Sequence, residues 1–303
     1  MDEPAKFSGL PIARRIESSH MPPTTLAPRG ARPAVDDPRV SAIESSQAKS
    51  VGSPKITTAL LLAAGTGSRL QPLTHDAPKC LTEVNGTTIL RRLMRGLQLR
   101  GFKRVVVVVG HLDFCIREAL LTSADGLEVE FIYSEKYRTT NNIYSLWMAR
   151  QVIEEPFLLI ESDLIFDTTM LDNMLKPGRI AVSTTLPWMN GTTVTLDQRQ
   201  QVTKFYAGGQ IALGEVMYKT VNMYSFSSRS WRTVASRLDQ YISAGRVNEY
   251  YEVVFAELVA EGALPFRAAF FDSACWYEID TLEDLHEAER LFPTNQGGSK
   301  LAV

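Results

Sequence analysis

Three cysteines in 303 residues, Cys80, Cys115 and Cys275, are too few and too scattered for a disulfide frame, and none forms a CxxC pair. That usage excludes a structural zinc site and fits a reducing compartment, with the cytoplasm as the expected location. Histidine is nearly as sparse, with four residues and none in a convincing catalytic setting. Charge of one sign is also missing: 32 basic against 34 acidic residues leave a net charge of −2. A nucleic-acid binder would carry a concentrated basic face, so no nucleic-acid partner is expected. The longest apolar run, around Val105–Val109, is far short of the roughly 20 residues that cross a bilayer, so no membrane partner is expected. No internal repeat and no apolar N-terminal segment of signal-peptide type is found.

What is present begins with a contrast. Residues 1–55 are rich in Pro, Ser and Ala, as in MPPTTLAPRGARPAVDDP, and carry no sustained helix or strand period. They read as a disordered leader. Arginines 14, 15, 29 and 32 raise a transit peptide, but Asp2, Glu3, Glu17, Asp36 and Asp37 are too acidic for one. From Ile56 the texture changes to alternating strands and helices. ITTALLLAA and RVVVVVG are buried, parallel-type strands, and Ile89–Arg100, Phe114–Thr122 and Ile143–Val152 have helical period. The β–α rhythm predicts an α/β fold: a Rossmann-like mixed, mostly parallel sheet with helices on both faces. The second half reads differently, with TTVTLD, QVTKFYA and KTVNMYSF linked without long helices, then helices over Ser230–Ala244, Tyr250–Glu261 and Leu282–Leu291. One domain over 56–292 is expected, with halves at 56–185 and 186–292 and a frayed tail over 293–303.

LLLAAGTGSRLQPLTHDAPKCL is the most informative segment. A buried strand runs straight into Gly65-Thr66-Gly67-Ser68-Arg69, where glycines let backbone N–H groups approach phosphate oxygens. The dinucleotide fingerprint GxGxxG needs a third glycine where Leu70 stands, and the Walker motif needs glycine at that same position. A nicotinamide-dependent oxidoreductase is therefore disfavoured. Arg69 and Lys79 add two cations on one connection stiffened by Pro72 and Pro78, a set suited to a triphosphate.

The pattern AAGTGSRL…PK(C)L resembles the signature of the sugar-nucleotidyltransferase superfamily. The resemblance spans about Ile56 to Leu291 and implies the nucleotide-diphospho-sugar transferase type of fold. It implies that Leu62, Ala63, Ala64, Gly65, Thr66, Gly67, Ser68 and Arg69 wrap the triphosphate, and that Lys79 contacts phosphate near the reacting centre. LLIESDLIFD sets Asp163 at the end of a buried strand, the edge where open parallel sheets bind ligands. ACWYEIDTLEDL sets Asp280 just before a helix, where a simple capping role is the alternative. Both aspartates match the family's metal-ligand positions, which implies a hard, octahedral-type Mg²⁺ site. Glu161 alternates to the same face as Asp163. The strand end Glu161-Ser162-Asp163 departs from the family's usual Gly-Asp or Ala-Asp.

Thr139–Leu146 reads TTNNIYSL, and with the WYEID element at Trp276–Asp280 it resembles the phosphocholine and 2-aminoethylphosphonate cytidylyltransferase branch. That resemblance implies nucleobase contacts from Thr140, Asn141, Asn142 and Ser145, although asparagine here also serves as a helix cap. The acceptor is the weakest reading. Lys204, Glu215, Lys219, Tyr250, Tyr251, Glu252 and Trp276 are candidates, lysine for a phosphate and Glu215 or Glu252 with Trp276 or Tyr251 for an ammonium group. Tyr224, Phe226 and Trp231 read as core. The expected activity is CTP-dependent cytidylyl transfer to a small phosphonate or phosphomonoester, with release of pyrophosphate, by a monomer or homodimer. The alternatives are a hexose-1-phosphate nucleotidyltransferase using UTP or another NTP, and a catalytically silent nucleotide-sensing subunit.

Overall fold

The computed structural model describes residues 55–186, 189–208, 210, 214–272 and 276–293. The leader and tail expectations fall outside the described residues, apart from Lys55 and Pro293. The first half runs β1 (Thr58–Ala63), β2 (Glu83–Val84), β3 (Thr87–Thr88), α1 (Ile89–Leu99), β4 (Arg104–Val109), α2 (Asp113–Ser123) and β5 (Glu128–Tyr133). It continues with α3 (Asn142–Ala149), β6 (Phe157–Glu161), β7 (Leu164–Phe166) and β8 (Arg179–Thr184). The second half adds β9 (Thr193–Leu196), β10 (Val202–Tyr206), β11 (Met217–Phe226), α4 (Ser228–Ser243), α5 (Glu252–Ala260), β12 (Arg267–Phe270), β13 (Trp276–Glu278) and α6 (Leu282–Leu291).

Among the described residues one mixed sheet of nine strands carries the fold, in the order β10-β9-β11-β6-β1-β4-β5, with β8 between β11 and β12. Strands β6, β1, β4 and β5 are parallel, and β11 joins β6 antiparallel. The valine run of β4 is buried throughout because both faces of the sheet are covered. Period-two alternation sends Leu60, Leu62, Val106 and Val108 into one core, and Ala59, Leu61, Val105 and Val107 into the other. Tyr224, Phe226 and Trp231 lie in the first core, as expected. α1 buries Ile89, Leu90, Leu93, Met94 and Leu97, a stripe at helical spacing. α6 opens with a capping box between Thr281 and Asp284.

Two irregularities bring side chains from distant strands to one edge of the sheet. The register of β11 shifts between Thr220 and Tyr224, where Asn222 takes a left-handed backbone (φ 49). The first half of β11 lies between β8 and β9, the second between β8 and β6, and the bulge marks the change. The short antiparallel pair β7–β13 is the other, and it has too few residues to show a period in the sequence. Helix limits differ from the expected ones by a few residues: α3 ends at Ala149 and α5 begins at Glu252. No helix among the described residues is long and apolar enough to cross a membrane.

Candidate active site

A cleft opens at the carboxyl ends of β1 and β6, where parallel-sheet ligands bind. Leu62, Ala64, Gly65, Gly67, Ser68 and Arg69 line one wall. Ala63 points into the opposite core by strand alternation, and Thr66 does not line the cleft. Gly67 adopts φ 62, and its carbonyl accepts a hydrogen bond from Thr74 Oγ1 at 2.8 Å. A Cβ at Gly67 would stand 3.0 Å from Thr74 Cγ2 and 3.3 Å from Lys79 Cβ. The loop therefore doubles back, and that return brings Lys79 beside the glycines. Leu70, fully buried with Val84, Ile89, Ile165, Ile279 and Leu285, pins the loop to the β7–β13–α6 unit. The residue that excludes the dinucleotide fingerprint is thus the loop's anchor.

Lys79 Nζ donates to Asp163 Oδ2 at 2.9 Å and also to Asp280 Oδ1. Arg69 Nη2 pairs with the same Asp280 oxygen at 2.9 Å. The aspartates meet because β7 pairs with β13, and the Ile279 N–H donates to the Asp163 carbonyl at 3.0 Å. Burial works against the Lys79 ammonium, but Asp163 and Asp280 outweigh it and hold its pKa above the ordinary lysine value. Asp163 Oδ1 is buried with no hydrogen-bond partner. Asp167, just after β7, caps the following turn by accepting from the Thr169 N–H.

Across the cleft stands the N-terminus of α3. Asn141 caps it through the Asn142 N–H. The Asn142 side chain then bridges two elements, donating to Glu161 Oε1 at 3.3 Å and accepting from the Tyr251 N–H at 3.0 Å. Thr140, Asn141, Asn142 and Ser145 all line the cleft. So do Tyr137, Ser162 and Tyr250, of which the sequence had singled out only Tyr250 as a candidate. Tyr137 is held where a Cβ on Gly110 would lie 2.7 Å from its own Cβ, so that contact requires glycine.

Behind this wall lies an acidic interior. Lys219, 2% exposed, donates to Glu278 Oε1 at 2.9 Å and to the Thr220 carbonyl at 2.7 Å. Asn222, turned by its left-handed backbone, donates to the same Glu278 oxygen at 2.7 Å. Burial and the neighbouring Asp163 and Glu252 hold the Glu161 carboxyl well above the usual carboxylate range. Burial likewise raises Glu278 despite the Lys219 charge beside it. Glu252 is pushed up by burial to about 7, against a backbone hydrogen bond and Lys219. Alternation along WYEID sets Glu278 on the same side as Asp280, the signal by which the sequence could have revealed it.

Three acceptor candidates lie elsewhere. Lys204 is exposed on β10, the outermost strand, with its ammonium 4.8 Å from the Tyr206 ring centroid. Glu215 is exposed in the turn before β11 and does not line the cleft. Trp276 lines a separate groove with Tyr277, Phe271 and Arg290 and does not line the cleft. Tyr251 is fully buried, its ring packed on Tyr224 and Phe255 at 5.8 and 5.0 Å, and it does not line the cleft.

The raised Glu252 gives a stability prediction. Its folded pKa of about 7 lies above the roughly 4.3 of an unfolded glutamate, so between these values the folded state holds a proton that the unfolded state has released. Its contribution is complete below about pH 4.3 and is lost as pH rises through about 7, with a slope of at most about 1.4 kcal/mol per pH unit. Glu252→Gln should flatten the fall in unfolding free energy between pH 5 and 8, measured by denaturant titration. Parallel curves for wild type and variant would refute the buried carboxyl.

The chain belongs to the MobA-like NTP transferase domain family, whose model matches residues 59–296. The fold agrees: CTP:phosphocholine cytidylyltransferase from Streptococcus pneumoniae superposes with a TM-score of 0.66 at 20% identity, over 78% of this chain and 98% of that one. Among sequence relatives, CMP-5'-(3-aminopropyl)phosphonate synthase of Streptomyces rubellomurinus is 29% identical over 77% of this chain. The 2-aminoethylphosphonate cytidylyltransferase of Lancefieldella rimae is 28% identical over 68% of this chain and 81% of its own length. The aligned region spans only 38% of the Streptomyces protein, and 51% of a bifunctional IPC transferase and DIPP synthase from Aquifex aeolicus.

Proposed function

We propose that this chain is a cytidylyltransferase that transfers CMP from CTP to a small phosphonate or phosphomonoester and releases pyrophosphate. The observation that carries the reading is Lys79 bridging Asp163 and Asp280 beside a glycine-rich loop, opposite the Asn141–Asn142 helix terminus. The activities for which the relatives are named, cytidylyl transfer to 2-aminoethylphosphonate among them, support the choice of nucleotide and acceptor.

In this reading residues 56–185 supply the nucleotide side and 186–292 the acceptor side. The glycine loop's N–H groups and Arg69 bind the triphosphate, and Lys79 neutralises the oxygens of the α-phosphate. Asn141, Asn142 and Ser145 read the cytosine edge, since amide and hydroxyl groups both donate and accept. An acceptor oxygen attacks the α-phosphorus, the bond to the β-phosphate's bridging oxygen breaks, and pyrophosphate departs. A phosphoryl oxygen is already anionic near neutral pH, so no general base is needed. No histidine lines the cleft among the described residues. Asp163 and Asp280 would hold Mg²⁺, and the buried, unpartnered Asp163 Oδ1 fits that role. Bound there, the ion would supply electrostatic stabilisation of the polyphosphate. CTP supply makes the cytoplasm the fitting compartment.

The test is pyrophosphate release with Mg²⁺, using CTP, UTP, ATP and GTP against phosphonates, phosphocholine and hexose 1-phosphates. Release confined to CTP with a phosphonate or phosphocholine is expected. Release confined to UTP with a hexose 1-phosphate would overturn the nucleotide and acceptor assignment together.

A further inference from the structure

The glycine-rich loop is fixed from behind by two residues that do not line the cleft, Thr74 and His111. Gly67 caps a 3-10 turn over Ser68–Leu70, and its carbonyl accepts from the Leu70 N–H at 2.9 Å. The other lone pair of that oxygen takes the Thr74 hydroxyl at 2.8 Å. Thr74 is 1% exposed, and its methyl packs 3.0 Å from where a Cβ on Gly67 would stand. The Gly67–Ser68 peptide is planar and trans, so its N–H points opposite to its carbonyl. Holding the carbonyl on Thr74 therefore aims the Ser68 N–H, and Gly67 and Ser68 both line the cleft. The Thr66, Gly67 and Ser68 N–H groups have no hydrogen-bond partner among the described residues.

Thr74 is clasped in turn. Its carbonyl accepts from His111 Nε2 at 3.3 Å, and the His111 N–H donates to the Ala64 carbonyl at 3.1 Å. One residue just past β4 thus ties the loop both where it leaves β1 and where it returns. Taking the proposed use of CTP as given, we infer that Thr74, clasped by His111, is a positioning residue that presets the loop's N–H groups for the triphosphate. Glycine suits the left-handed backbone at position 67 (φ 62), yet glycine also lets a free loop visit many other conformations. The hydroxyl and methyl of Thr74 remove that freedom before any anion arrives, so less ordering is left to be done on binding. Thr74 and His111 act through the Gly67 and Ala64 peptides and need touch no ligand themselves.

The experiment compares full-length Thr74→Val, which keeps the shape and loses the hydroxyl, with Thr74→Ser, which keeps the hydroxyl and loses the methyl. Calorimetry measures the binding of CTP and of CMP in the presence of Mg²⁺, alongside pyrophosphate release. Thr74→Val should weaken CTP binding by about 10-fold, through the lost hydrogen bond and the freed loop. CMP lacks the two outer phosphates, so its affinity should change by less than about 3-fold in the same variant. Thr74→Ser should stay within about 3-fold of wild type for both nucleotides. His111→Leu should follow Thr74→Val, and His111→Gln, whose amide can still donate, should recover part of the loss. Equal CTP affinity in wild type and Thr74→Val, or parallel losses for CTP and CMP, overturns the inference and leaves cytidylyl transfer intact. CTP binding by the wild type without release on any acceptor removes the transfer reading, and the affinities still decide the positioning role. A wild type that binds no CTP overturns both. If Thr74→Val does not fold, His111→Leu against His111→Gln decides.

Discussion

Lys79→Ala is expected to lower kcat/KM for CTP-dependent pyrophosphate release by about 10²–10³-fold, the typical loss when one preorganised electrostatic donor is removed. Lys79 is hydrogen-bonded to both Asp163 and Asp280, and its own side chain is 13% exposed. Its charge therefore acts where water is largely excluded, and in the proposed transfer an acceptor phosphonate would approach an already anionic triphosphate. The same substitution should destabilise the ligand-free protein by about 1–3 kcal/mol, below the roughly 3–5 of a fully buried pair because both aspartates are 24% exposed. Mg²⁺ should then raise the Tm of Lys79→Ala more than that of wild type, since the ammonium no longer competes for the two carboxylates. Near-normal turnover in the variant would remove Lys79 from catalysis, and equal Mg²⁺-induced shifts would remove the shared cation position.

Asp280→Asn and Asp163→Asn should each reduce turnover by about 10³-fold or more and raise the Mg²⁺ concentration needed for half-maximal rate. The two variants should differ in one respect. Asp280 is contacted by both Lys79 and Arg69, so its loss frees Arg69 and leaves Lys79 on Asp163 alone, whereas loss of Asp163 leaves both cations on Asp280. Stability should move opposite to the lysine variant: removing a carboxylate from an interior with an acidic excess leaves the ligand-free Tm unchanged or higher. Mg²⁺ titration of rate and of Tm measures both effects. An unchanged Mg²⁺ requirement in both variants would show that the pair does not hold the metal.

The acceptor side shows where sequence reasoning lost its grip. Lys204, Glu215 and Trp276 were plausible by residue type, yet none of them lines the cleft. Type does not fix direction on an edge strand or a turn. Lys219 sits in a buried network built on the Asn222 bulge, and a backbone irregularity of one residue leaves no periodic trace. Glu278 was legible in principle from its alternation with Asp280.

By itself the sequence determined the alternation of buried strands and amphipathic helices, the glycine loop with Leu70 in place of a third glycine, and the two carboxylates. These are local: period, turn chemistry and the end of a buried strand are written in neighbouring residues. Tertiary structure decided which distant groups share a space. The β7–β13 pair joined Asp163 to Asp280, Asn142 joined α3 to Glu161 and Tyr251, and the bulge in β11 set Lys219 and Asn222 on Glu278. Each of these depends on register and burial, which arise only when the whole sheet closes and unpaired charge has nowhere else to go.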